Sequence, residues 1–284
     1  MKHLPSAVSQ ASPRVHPPAH SPTRHLAYTI ALDPPKSFGQ RMLGKLLGSS
    51  LLRTWFSGDV VIFRNTEEPL FPVERAGLSE VYLETPDFQE VGEAQEAWRY
   101  KFRVREYLDV SGYDKVLFLD ADCLALRNLD HLLEGDFDIG WYPESRKLTD
   151  PVFNCFLSDE EIRHWRDRPG ANSGTLAVRA ELFHEVMAEW ERIDLGPVTR
   201  TRFCSDQGSW NRLLLDTKLR TKRFERGEIQ FPLCLHPNFH DWKKAALVHA
   251  IGGTLREKMR FLWGLYMQTF YYDDRGTMLN LLEM

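Results

Sequence analysis

The sequence predicts an α/β fold in which a mostly parallel, mixed central sheet is flanked by helices. Short apolar runs alternate along the chain with segments whose apolar residues recur at helical spacing. One run, residues 116–119 (VLFL), is apolar at every position, as expected of a central strand buried on both faces. The 284 residues, 43% of them hydrophobic, suffice for a large buried core.

The first part of the chain predicts a right-handed βαβ unit. Residues 25–32 (HLAYTIAL) form a strand, residues 38–55 a helix and residues 59–63 (DVVIF) a second strand. A third strand is predicted at residues 78–83. A long helix follows at residues 93–110, with one lengthwise row made of Ala97, Lys101, Val104 and Leu108.

The later part is less regular. Residues 148–169 form a charged, irregular segment, and there is no internal repeat. The remaining elements are predicted as strands at residues 137–142, 175–178 and 247–250, and as helices at residues 181–193 and 207–215.

Composition excludes some classes of partner. The 36 basic and 40 acidic residues give a formal charge of -4, which offers no broad positive surface for nucleic acid. Four widely spaced cysteines (Cys123, Cys155, Cys204 and Cys234) predict buried free thiols in a reduced compartment. No stretch is long and apolar enough to span a bilayer, so we expect a cytoplasmic protein. Residues 261–272 are predicted to form a terminal helix packed on its own domain, and the alternative is an interfacial helix in peripheral contact with a membrane.

Two aspartates follow the apolar run directly. Asp120 and Asp122 are expected at the carboxyl end of a core strand, the edge of an open α/β sheet at which ligands bind. A carboxylate pair at this spacing can hold a hard divalent cation, which in turn can hold a diphosphate. An Asp-x-Asp alone is more often a solvated turn. The buried strand before it favours a site.

The segment 113–124 (YDKVLFLDADCL) resembles the donor site of GT-A glycosyltransferases, in particular family 8-like enzymes similar to glycogenin and bacterial galactosyltransferases. The resemblance continues in order through residues 170–174 (GANSG), 205–207 (SDQ) and 249–252 (HAIG). It implies a GT-A (Rossmann-like) fold and metal-dependent transfer of a hexose, with retention, from a nucleotide sugar, expected to be a UDP-sugar. The acceptor is an unidentified hydroxyl of a glycan, lipid or protein, and the oligomeric state is open.

The resemblance also implies roles for individual residues. Asp120, Asp122 and His249 would bind Mn²⁺ or Mg²⁺. Asp206 and Gln207 match the acid-amide pair beside the anomeric carbon and are the catalytic candidates. The donor-binding candidates are Ala31, Asp33, Lys101, Asp120, Ala121, Asp122, Asn172, Ser173, Gly252 and Lys258.

Composition and the resemblance together predict the organisation of the chain, with the leader following from composition alone. Residues 1–24, rich in Pro, Ser and His, form a disordered leader. Residues 25–284 form one domain, comprising a nucleotide-binding half (25–135), a donor-sugar and acceptor half (136–260) and a C-terminal helix (261–284).

One position departs from the family pattern. The family commonly has a lysine three residues after the glycine of its HxxG segment, where this chain has Leu255, and Arg256 or Lys258 would replace it. This departure keeps open a non-catalytic sugar-nucleotide binding protein. A second alternative is a haloacid-dehalogenase-type phosphatase, in which an apolar strand also ends in Asp-x-Asp and residues 271–274 (YYDD) would supply the later acids.

Overall fold

The computed structural model describes residues 24–33, 39–85, 97–199, 206–225, 228–230 and 245–271. The predicted leader, apart from Arg24, therefore lies outside the described residues. Helices are α1 (Gly39–Arg53), α2 (Tyr100–Arg103), α3 (Asp130–Leu133), α4 (Asp159–His164), α5 (Phe183–Asp194), α6 (Asp206–Asp216) and α7 (Leu255–Phe270). Strands are β1 (His25–Ala31), β2 (Asp59–Arg64), β3 (Leu78–Tyr82), β4 (Lys115–Leu119), β5 (Cys123–Ala125), β6 (Ile139–Lys147), β7 (Pro169–Arg179), β8 (Thr221–Arg223), β9 (Ile229–Gln230) and β10 (Leu247–His249).

Seven strands in the described part of the chain form the central sheet, in the order β3-β2-β1-β4-β7-β6-β8. Strands β3, β2, β1 and β4 are mutually parallel, whereas β7 runs antiparallel to both β4 and β6. The predicted α/β class with a mostly parallel, mixed sheet is confirmed. The carboxyl ends of β1, β2 and β4 meet at one edge of this sheet.

Strand β4 is buried on both faces, as its apolar run predicts. Val116 and Phe118 join the core cluster that contains Phe183 and Met187 of α5. Leu117 joins the opposite cluster, which contains Leu47 of α1. The alternation follows from the two-residue repeat of a strand, and helices on both faces keep water from the backbone of β4.

A second, three-stranded sheet in the order β5-β10-β9 lies next to the end of β4. Strand β5 begins at Cys123, one residue after Asp122, and pairs antiparallel with β10. In that register Cys123 lies opposite His249. The small sheet therefore carries His249, distant in sequence, back to the two aspartates.

The long helix predicted at residues 93–110 is wrong in its described part. Beyond residue 97 the helical structure is the short α2, followed by a single 3-10 turn at Val104–Glu106. Phe102 and Val104 are both fully buried in the core, and Leu108 and Val110 are also buried. Residues two positions apart in a helix point in different directions, so one helix face cannot bury both Phe102 and Val104, or both Leu108 and Val110. Tertiary packing therefore overrides the helical periodicity.

Residues 148–169, predicted to be irregular, contain α4. Ser158 caps this helix with a capping box, in which its hydroxyl accepts from the Glu161 amide while Glu161 accepts from the Ser158 amide. The sequence Ser-x-x-Glu is a recognisable helix start. Strand β7 is also longer than the predicted 175–178 and begins at Pro169.

Helix α7 packs on α1. Leu262, Leu265 and Tyr266 share a core cluster with Leu43 and Leu46 of α1. It begins at Leu255, six residues before the predicted helix, while residues 272–284 lie outside the described part. Of the described helices, none has the length and apolarity that crossing a membrane requires.

The cysteines correct another prediction. Cys123 is a buried free thiol, as expected. Cys155, predicted to be free as well, is disulfide-bonded, so the wide spacing of the cysteines did not reveal this bond. Cys204 and Cys234 lie outside the described residues.

Candidate functional site

The end of β4 turns sharply and presents two carboxylates. The amide of Asp120 donates to the carbonyl of Gly174 on β7, at 2.8 Å, and the Asp120 carbonyl accepts from the amide of Cys123, at 3.0 Å. These bonds hold the turn between β4 and β5. The side chains of Asp120 and Asp122 are 25% and 15% exposed. They are therefore open to a small ion and largely shielded from bulk water.

His249 completes a cluster with the two aspartates. Its Nε2 lies 3.1 Å from Oδ1 of Asp122 and 3.6 Å from Oδ2 of Asp120. Burial alone would lower the pKa of His249, but the neighbouring carboxylates, Asp122 foremost, outweigh burial and raise it. The cluster joins residues 127 positions apart because β10 pairs with β5.

Gly174 provides the space in which the cluster forms. A side-chain carbon at this position would lie well inside van der Waals contact of Oδ2 of Asp120 and Cε1 of His249. Glycine is the residue that lets the backbone of β7 approach both side chains. Two carboxylates and an imidazole around such a space are a donor set that suits Mn²⁺ or Mg²⁺, so these residues fit the implied metal.

Lys101 links two acidic residues of the site. Its Nζ lies 2.8 Å from Oδ1 of Asp120 and 2.6 Å from Oδ2 of Asp206. Burial alone would lower the pKa of Lys101, but Asp120 and Asp206 together raise it, so the ammonium stays charged. The arginines near Lys101 lie elsewhere, since Arg99 pairs with Asp194 and Arg103 with Glu191.

Asp206 lies at the start of α6 and is held on one side chain oxygen. Its Oδ2 accepts from Ser173 Oγ at 2.7 Å as well as from Lys101. Behind it, Ser209 Oγ donates to Oδ1 of Asp194 or to the Asp206 carbonyl, at 3.0 and 3.1 Å, and accepts from Nε1 of Trp190 at 2.9 Å. The position of Asp206 is thus fixed by a buried polar network.

Lys258, on the first turn of α7, pairs with Asp122. Its Nζ contacts Oδ2, the carboxylate oxygen other than the one nearest His249. Burial alone would raise the pKa of Asp122, but His249 and then Lys258 outweigh burial and lower it below the usual range. The pKa of Asp120 is instead raised, because burial and Asp122 outweigh the effects of Lys101 and His249.

Asn172 is oriented at both ends of its amide. Nδ2 donates to Oε1 of Glu144 at 3.0 Å, and Oδ1 accepts from the amide of Gly174 at 2.7 Å. Glu144, itself buried, also pairs with Arg146. Sequence reasoning missed Glu144 because strand β6 was expected to end at residue 142. The available signal was an acidic residue directly after an apolar run that ends in Pro143.

Asp33 and Ala31 lie at the end of β1. The carboxylate oxygens of Asp33 accept from the amides of Gln40 and Arg41, at 2.7 and 3.2 Å, and so cap the start of α1. Asn65, after β2, accepts from the Asp33 amide and donates to the Asp33 carbonyl. The side chain of Asp33 is therefore occupied, and the pKa of its carboxyl is raised by burial.

The other expected donor and catalytic residues lie around the same edge. Ala31 is fully buried beneath α1, and Ala121 is buried in the cluster between α1 and α7, so neither presents a side chain to a ligand. Gln207 follows Asp206 in α6. Gly252, just after β10, is exposed and has a φ of 65°, a left-handed conformation that favours glycine.

A thiol lies beside the three expected metal ligands. One ligand atom each from Asp122, Cys123 and His249 lies within 4.8 Å of the others. Cys123 is fully buried, with Sγ 4.0 Å from the Gly174 carbonyl. The pKa of its thiol is raised well above the usual value by burial and then by Asp122 and Asp120.

Among solved structures, the chain is similar to the one titled as the apo structure of the bifunctional glycosyltransferase WbbM, with a TM-score of 0.58 and 13% sequence identity. The similarity covers 90% of this chain and 52% of that one, so the chain spans about half the length of that structure. At this identity the likeness shows the fold. The chain has the predicted GT-A type of α/β fold, while no protein-family model and no curated protein matches its sequence.

Proposed function

We propose that this chain is a metal-dependent glycosyltransferase that moves a hexose from a nucleotide sugar, expected to be a UDP-sugar, to an acceptor hydroxyl with retention. The observation that carries the proposal is the convergence of Asp120, Asp122 and His249 after β4, on a fold shared with a solved glycosyltransferase. The alternative phosphatase would have its acid pair after the first strand of its domain, whereas here the pair follows the fourth strand.

Asp120, Asp122 and His249 would hold Mn²⁺ or Mg²⁺. When bound, the cation supplies Lewis-acid stabilisation of the negative charge that grows on the leaving diphosphate. The turn after β4 and the small residue Gly174 keep the two carboxylates and the imidazole together before any ligand arrives. Ligand binding then requires little reorganisation of the protein, which favours catalysis by preorganised charge.

Two lysines flank the proposed diphosphate position and supply fixed positive charge. Lys101 forms a salt bridge with Asp120, and Lys258 forms one with Asp122. Lys258 is three residues beyond the position at which the family commonly has its lysine. Lys258 lies on the first turn of α7. We infer that it contacts the diphosphate in the role that the family lysine would have at the position of Leu255.

Asp206, Gln207, Asn172 and Ser173 are proposed to surround the donor sugar. Ser173 donates to Asp206, and Asn172 accepts from the Gly174 amide. These hydrogen bonds fix the orientation of the Ser173 and Asn172 side chains. Oδ2 of Asp206 already contacts the ammonium of Lys101 and accepts from the hydroxyl of Ser173. A departing phosphate oxygen is therefore the proposed acceptor of the hydroxyl proton, with positioning as the main contribution of these residues.

The test is turnover of a panel of UDP-, GDP- and ADP-hexoses by the purified chain, with Mn²⁺ or with EDTA, measured as release of free nucleotide. We expect slow hydrolysis of at least one donor with Mn²⁺ and none with EDTA. Binding of UDP without turnover of any donor, with or without added sugar acceptors, identifies a non-catalytic binding protein. Rapid metal-dependent hydrolysis of p-nitrophenyl phosphate identifies a phosphatase instead.

A further inference from the structure

The cluster after β4 contains a possible metal ligand, the thiol of Cys123, that the proposed hard-metal site does not use. Cys123 follows Asp122 in the chain and lies opposite His249 in the β5-β10 pair. Directly opposite residues of an antiparallel pair project from the same face of the sheet. The thiol and the imidazole are therefore on one side, next to the carboxylate of Asp122.

The distances between these donors approach those of a metal centre. The three ligand atoms lie within 4.8 Å of one another. Ligand bonds to zinc of about 2.0–2.3 Å put neighbouring donors of a tetrahedral site about 3.5 Å apart. Closing the difference takes a shift of about 1 Å, within the reach of side-chain rotation. Asp120, with Oδ2 3.6 Å from Nε2 of His249, can supply a fourth ligand.

We propose that Asp122, Cys123 and His249 form a site for a soft divalent cation such as Zn²⁺ or Cd²⁺, which occupies the centre in place of a hard cation. Thiolate sulfur selects soft and borderline metals, whereas Mg²⁺ and Mn²⁺ prefer carboxylate oxygen. On binding, a bond forms between sulfur and the cation, and the thiol proton leaves to solvent. No electron is exchanged, and Cys123 is a free thiol as this step requires.

Asp122 and His249 belong to both donor sets, so a soft cation excludes a hard one. The consequence, inhibition of transfer by Zn²⁺ or Cd²⁺ in the presence of Mn²⁺, rests on the proposed function. The binding of the soft cation does not rest on it.

The test is titration of metal-free protein with Cd²⁺, followed by the ultraviolet charge-transfer absorption of a thiolate-cadmium bond. We expect the band in the wild type, its loss in Cys123→Ser, and its suppression by excess Mn²⁺. Loss of even an outer partner of a metal ligand costs about 10–100-fold, so the Cd²⁺ affinity of Cys123→Ser should fall by at least about tenfold. A band that persists in Cys123→Ser overturns the proposal, since another thiol then binds the cadmium.

X-ray absorption of the zinc-loaded wild type provides a measurement that needs no variant to fold. One sulfur among nitrogen and oxygen ligands supports the site, and a shell of nitrogen and oxygen alone overturns it. Binding of Mn²⁺ and UDP is measured on the same preparation. A thiolate-cadmium band without Mn²⁺-dependent UDP binding supports the soft-metal site and counts against the proposed function, while the reverse pattern overturns only the soft-metal site.

Discussion

The ammonium of Lys258 lies against Oδ2 of Asp122, while His249 faces the other oxygen of the same carboxylate. One carboxylate of the proposed metal site is therefore already neutralised by a cation that belongs to the protein. A metal that binds Asp122 must share it with this lysine. We therefore expect metal affinity and diphosphate affinity to depend on Lys258 in opposite directions.

Replacing Lys258 by Met should strengthen Mn²⁺ binding to the nucleotide-free protein, because a competing positive charge is removed from Asp122. The same change should weaken UDP binding in the presence of Mn²⁺, because a phosphate contact is lost. Both affinities are measurable by calorimetry. The matched control is Arg256→Met, since Arg256 is exposed on the same turn of α7. If the two affinities move in the same direction, Lys258 does not have the double role proposed here.

Replacing Lys101 by Met should destabilise the fold by about 3–5 kcal/mol, because Asp120 and Asp206 lose the partner that neutralises them in a buried place. Mn²⁺ should restore more stability to this variant than to the wild type, since a cation at Asp120 relieves part of the repulsion. Urea unfolding with Mn²⁺ or EDTA measures both effects. Equal stabilisation of both proteins by Mn²⁺ contradicts the placement of Lys101 beside the metal.

Replacing Gly174 by Ala should reduce donor turnover by about 100-fold, because the added carbon displaces the side chains of Asp120 and His249, and small misplacements of reacting groups are costly. Gly264→Ala is the control, since a carbon added there meets no atom within 4 Å and removes a glycine from helix α7. That control should be more stable by about 0.5–1 kcal/mol with unaltered turnover. Full activity in Gly174→Ala refutes the close approach described here.

His25 should make the protein less stable as the pH decreases through the ordinary pKa of histidine. Burial lowers the pKa of His25 in the folded chain. Below pH 6.5 the unfolded chain therefore binds more protons at this residue than the folded chain, and unfolding is favoured. His249, with a raised pKa, acts in the opposite direction. Between pH 8 and pH 5 the free energy of urea unfolding should decrease less, or increase more, in His25→Gln than in the wild type, and an equal change in both proteins excludes this role for His25.

Local sequence patterns predicted the parts of the site that lie on one element. The apolar run 116–119 predicted a strand buried on both faces, and Asp120 and Asp122 then had to lie at its carboxyl end. Lys101 shares the predicted row with Val104 and Leu108, and all three are buried, although the long helix predicted there is wrong. The row identifies which side chains face the core, and this holds even though the helix is shorter than predicted.

Contacts that depend on pairing between elements distant in sequence could not be predicted from local sequence patterns. The opposition of Cys123 and His249 arises from a three-residue antiparallel pair, too short for a sequence period. The salt bridge of Lys258 depends on where α7 begins, and the capping box of Thr254 and Glu257 was a local signal for that start. Glu144 lay beyond the predicted end of β6 because the strand continues through a shift in register.

The most direct test of the central claim is calorimetric titration of UDP into the metal-free chain, with and without Mn²⁺, for the wild type and Asp122→Asn. Asp167→Asn, which changes an exposed carboxylate paired with Lys147, is the matched control. The account predicts tight binding only with Mn²⁺, a loss of at least about 100-fold in Asp122→Asn, and none in Asp167→Asn. UDP binding that is the same with Mn²⁺ and EDTA, or that survives in Asp122→Asn, contradicts it.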